Sequence, residues 1–120
     1  MTNHQGSLLE KERKVIENCL MVRYAVESWS ADNGGRLPGL VTEVSPRTGS
    51  SVMEYLPQGR LLLNPLTGWG DSPCDGLPTN QGQTGYLVMY NDSAGAYDGY
   101  RIEGLGGNHC TLFSIVYPPE

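Results

Sequence analysis

The chain has 120 residues, with 8 Lys and Arg against 13 Asp and Glu, a formal net charge of −5 and a pI near 4.9. That length fits one domain with a single core, and an acidic chain without a basic block excludes general binding to a phosphate backbone, so nucleic acid is not an expected partner. Hydrophobic residues make up 38% and charged residues 18%, beside 16 Gly and 8 Pro, which suits a folded, loop-rich domain rather than a disordered one.

The opening residues 1–7, MTNHQGS, are polar and read as a flexible lead or a vector-derived junction at Gly6-Ser7. Ser7-x-x-Glu10 also reads as a capping box that would start a helix. From Leu8 to Asn33 runs the only long stretch without Gly or Pro. Val15, Cys19, Val22, Val26 and Trp29 recur there at i, i+4, i+7, i+11 and i+14, one face of a helix that is expected to pack on the core. Glu10 with Lys14, Arg13 with Glu17 and Arg23 with Glu27 stand at supporting charge spacings. Gly34, Gly35 and Pro38 stop the helix.

A second apolar stripe, Leu9, Ile16, Leu20 and Tyr24, falls nearly opposite the first at about 100° per residue. A helix on a monomeric domain needs one such stripe. The second is covered either by the chain's own loops or by a partner subunit or membrane surface.

Residues 34–84 form a long irregular connection. Leu37, Leu40, Val41 and Val44 are its expected core anchors, and a short helix is expected over Val52–Leu56, stopped by Pro57 and Gly59. Leu61–Leu63 is a short apolar anchor. Asn64-Pro65-Leu66-Thr67-Gly68 is a turn, and Trp69–Thr84 reads as loop. The period then changes. Strand patterns at Gly85–Tyr90, Tyr100–Leu105 and Thr111–Tyr117, separated by turn formers, make a three-stranded antiparallel meander over 85–117. One long N-terminal helix and a small sheet define a single α+β domain.

The search for chemistry returns little. There is no G-x-S-x-G, no P-loop and no metal-type Cys or His spacing, so catalysis is not expected. Asn91–Asp98 reads either as a hairpin turn or as a calcium site built on Asp92 and Asp98. Cys19 reads as a core residue, and Cys74 and Cys110 can pair if the chain is exported. No apolar run approaches the length of a bilayer span, and no signal-peptide pattern is present.

The order of these features carries a resemblance. Tyr24 through Asp32-Asn33-Gly34-Gly35-Arg36-Leu37-Pro38 resembles the Y-x-x-D-N-G-x-Y-P passage of type IV pilins and type II secretion pseudopilins. Leu56-Pro57-Gln58-Gly59 and Asn64-Pro65-Leu66-Thr67-Gly68 are similar to the L-P-x-G and N-P-F-T-G segments of that family, with Leu66 where Phe is common and Leu37 where Tyr is common. The likeness spans roughly residues 15–105. It implies a pilin-like head domain without its transmembrane half-helix and a filament subunit whose Leu9, Ile16, Leu20 and Tyr24 face neighbouring subunits. It also implies an inner-membrane anchor and an extracytoplasmic head, with calcium as an occasional ligand. The alternative it leaves is a minor-pilin-type binding module that contacts a surface, another subunit or DNA through its loops.

Overall fold

The computed structural model describes residues 7–119, so the polar lead 1–6 lies outside the described residues. Helix α1 spans Leu8–Asp32, about 37 Å at 1.5 Å per residue. Both ends are set by local chemistry. The Ser7 hydroxyl accepts from Glu10 N–H while the Glu10 carboxylate accepts from Ser7 N–H, satisfying two donors of the first turn. At the other end the Asn33 amide donates to Trp29 O, and Gly34 and Gly35 take the positive φ that turns the chain away.

Six strands follow: β1 (Leu62–Leu63), β2 (Gly70–Ser72), β3 (Cys74–Asp75), β4 (Thr84–Asn91), β5 (Ala96–Leu105) and β6 (Thr111–Tyr117). The architecture is α+β, with α1 packed on a small mixed sheet. The expected three-stranded meander is therefore incomplete. β4, β5 and β6 do run antiparallel, but β3 adds a parallel fourth strand through Cys74 opposite Gly85, giving the order β3-β4-β5-β6. β1 and β2 make a separate two-stranded antiparallel ladder. Strands of two or three residues carry no period, so the segment 69–84 looks like pure loop in sequence and is ordered only by its neighbours.

Val15, Cys19, Val22, Val26 and Trp29 are wholly buried and lie over the sheet with Tyr86, Tyr100 and Ile102. Burying each large apolar side chain contributes about 1.5–3 kcal/mol. Helix and sheet approach closely because Gly104 of β5 has no side chain: a Cβ there would sit 2.6 Å from Val15 Cγ1 and 2.9 Å from Cys19 Sγ.

The long connection wraps one end of the helix. Leu37 and Val41 enter the core, whereas Leu40 and Val44, expected to anchor with them, are exposed. The Trp29 indole donates to Ser50 O, the Arg36 guanidinium lies 4.9 Å over the Trp29 ring, and Arg36 pairs with Glu43 at 2.8 Å. The short helix is a single 3-10 turn at Val52–Tyr55, with a second at Pro57–Gly59.

Asn64 organises the segment after it. Its side-chain oxygen accepts from Leu66 N and Thr67 N, and its amide donates to Gln81 O and Asp71 Oδ2. With Asn64 almost fully buried, this one residue satisfies a turn that would otherwise strand polar backbone.

Candidate assembly surface

The two stripes of α1 meet different environments. The first is sealed on the sheet. On the second, Leu9, Leu20 and Tyr24 are 60%, 40% and 71% exposed, and Ile16 is half-buried. The chain's own loops cover little of this face. Arg13, Glu17, Arg23 and Glu27, all exposed, flank it with both signs of charge.

Toward the C-terminal half, the stripe opens into a groove of about 390 Å³ between α1 and the 3-10 turns, lined by Leu20, Met21, Tyr24, Tyr55, Leu56 and Pro57. The Tyr55 hydroxyl donates to Asp32 Oδ2 at 2.5 Å, fixing the groove wall, and this bond to a carboxylate pushes the phenol pKa up. Met21, Tyr55 and Pro57 escape a reading by helix face. Met21 sits between the two stripes, and Tyr55 and Pro57 reach the helix only through the fold. Contiguous exposed apolar area of this kind is the usual physical form of a protein interaction site.

Asn91 Oδ1 accepts from Ser93 N and Ala94 N, and the Asn91 amide donates to Asp98 Oδ2, so the β4–β5 connection is a side-chain-closed hairpin turn. Asp98 occupies the extra residue where the register jumps from Met89–Gly99 to Tyr90–Tyr97. Asp92 and Asp98 are both exposed in this turn, and among the described residues no group of three or more His, Cys, Asp or Glu is arranged to hold a metal.

Cys74 and Cys110 are free thiols. Cys74 is on β3, and Cys110 lies in the turn leading to β6, so β4 and β5 stand between them. Two to three strand spacings are about 10–14 Å, beyond the reach of a disulfide. In this structure the two thiols are therefore unpaired. Cys19 sits 3.7 Å from Thr84 Oγ1 under the helix, and burial pushes its thiol up to about 11, leaving it protonated and inert at neutral pH.

Comparison with protein-family models, with curated proteins and with solved structures finds no match. Among the described residues no helix is long and apolar enough to cross a membrane.

Proposed function

We propose that this chain is a structural subunit of a type IV pilus-like or type II secretion pseudopilus filament and assembles through the outer face of α1. The supporting observation is the contrast within one helix: Val15, Cys19, Val22, Val26 and Trp29 wholly buried, and Leu9, Leu20 and Tyr24 left in solvent beside an apolar groove. The ordered passages around Asp32–Pro38, Leu56–Gly59 and Asn64–Gly68 support the family. In this reading the partners are other pilin or pseudopilin subunits, the subunit is held at the inner membrane by an apolar segment preceding the head, and no bond is made or broken.

The test is a double change, Leu20→Lys with Tyr24→Glu. The head should melt as before, because both side chains already stand in water, while filaments fail to form. Filaments that still assemble remove the proposal.

A second reading rests on Trp69, 72% exposed at a cleft of about 340 Å³ shared with Thr67, Asp71, Asn80, Gln81 and His109. Exposed indoles are favoured anchors in protein interfaces. A minor subunit that binds through this loop would lose its target in Trp69→Ala and keep its assembly.

A further inference from the structure

The four-stranded sheet has two unlike edges. At one, β3 is two residues long and runs directly into a turn in which Gly76 N–H donates to Tyr86 O. At the other, β6 is seven residues, TLFSIVY, and among the described residues pairs only with β5. An unpaired edge offers a row of N–H and C=O groups that only another extended backbone satisfies, and natural edges are usually guarded by charge, proline or bulges. β6 carries no charged residue, Pro or Gly. Its one irregularity is at its start, where the register passes from Gly104–Phe113 to Leu105–Thr111 and leaves Leu112 over. From Phe113 to Tyr117 the strand is regular. Tyr117, stacked on Tyr100 at 5.4 Å and 20°, holds its end against the sheet.

We propose that β6 pairs with β6 of a second copy, antiparallel and about a two-fold axis at Ile115, to make one continuous eight-stranded sheet. The strand suits itself. With Ile115 on the axis, Phe113 faces Tyr117 and Ile115 faces its own copy on the helix side. Ser114 faces Val116 on the other side. No like charges oppose each other, and aromatic and β-branched pairs are those that stabilise cross-strand contacts. Phe113 and Ile115 are only partly buried against the core, so the added strand completes their cover. Because the β3 edge is short and folded over, sheet addition between copies must use β6 on both, which closes the pair instead of propagating it. Pro118 and Pro119, without N–H groups, end the ladder.

The interface is separate from the α1 face, and sedimentation equilibrium of the full chain tests it. The expected result at rising concentration is a mass twice the 13.1 kDa of one chain, with the backbone amides of β6 exchanging more slowly as the dimer fills. Ser114→Lys together with Val116→Lys, on the side away from the helix, places lysine opposite lysine twice and should give a monomer that still folds, melting near the wild type at dilutions where the wild type is itself monomeric. Leu20→Lys with Tyr24→Glu should leave the dimer intact. A wild-type chain that stays monomeric at millimolar concentration overturns the proposal, as does a dimer that survives the double lysine variant. So does a monomer whose β6 amides slow only when a synthetic extended peptide is added, which assigns the edge to another protein's strand.

Discussion

Gly104 of β5 lies so close beneath Val15 of α1 that a single methyl group on its Cα would fall 2.6 Å from Val15 Cγ1. The neighbours on that side are packed helix side chains with no slack, Val15 and Cys19, both wholly buried. Gly104→Ala is therefore expected to lower stability by about 1–3 kcal/mol, the usual cost of overpacking a core. Gly70→Ala is the control. Its nearest neighbour would be 4.0 Å away, and a change within about 0.5 kcal/mol is expected. Urea unfolding of the two variants checks the difference.

Asn64 makes its four side-chain hydrogen bonds in a nearly dry site. Asn64→Ala strands the backbone donors of Leu66 and Thr67, and a loss of about 2–4 kcal/mol is expected from the uncompensated groups. Asn64→Asp keeps the acceptor but loses both donated bonds and sets a carboxylate beside Asp71, so it should also destabilise. If Asn64→Asp melts like the wild type, the donor half of this arrangement contributes nothing.

The three thiols should react in a fixed order. Cys110 is exposed and should label first, half-buried Cys74 more slowly because burial raises its pKa, and Cys19 only on unfolding. Mass spectrometry after timed alkylation reads the order. Reductant should change neither mass nor melting temperature, whereas a two-dalton shift on reduction would restore the Cys74–Cys110 pair.

Alkali should destabilise the fold. Cys19 holds its proton up to about 11 when folded, against an ordinary value of 9.0. Above pH 9 the unfolded chain alone releases that proton, so stability is complete below pH 9 and falls as pH rises toward 11. Tyr86 and Tyr100 act in the same direction. Burial raises both phenols, and Tyr100 also donates to Glu27 Oε2 at 2.6 Å. Melting curves from pH 8 to 11 should slope downward, and Tyr100→Phe should flatten the part above pH 10. A flat wild-type profile would contradict the burial of these groups.

The elements with a local cause can be read from sequence. Helix α1 begins at Ser7 because that residue and Glu10 cap each other, and it ends at Asn33 because two glycines follow. Its buried stripe follows from spacing alone. The segments 85–90, 100–105 and 111–117 carry strand signals, with clear alternation at 100–105, and the structure extends the first two by only a few residues. What sequence could not settle was every relation between distant segments. Leu40 and Val44 look like Leu37 and Val41 in composition, but only the latter pair reaches the core.

The candidate surface divides in the same way. Leu9, Ile16, Leu20 and Tyr24 were visible as a stripe because helical geometry fixes their common face. Whether the stripe was covered depended on where the loop 34–61 docked. That docking is set by the Trp29–Arg36–Glu43 stack and by Tyr55 bonding Asp32, contacts between residues with no periodic relation. Sequence by itself determined the helix, its two faces and the alternating strands, since each arises from dihedral preferences and spacing within one segment. Tertiary structure alone decided the parallel edge strand, the separation of Cys74 from Cys110, the hairpin role of Asp98 and the exposure of the outer helix face. Each of those depends on which surfaces meet across the fold, and local spacing carries no information about that.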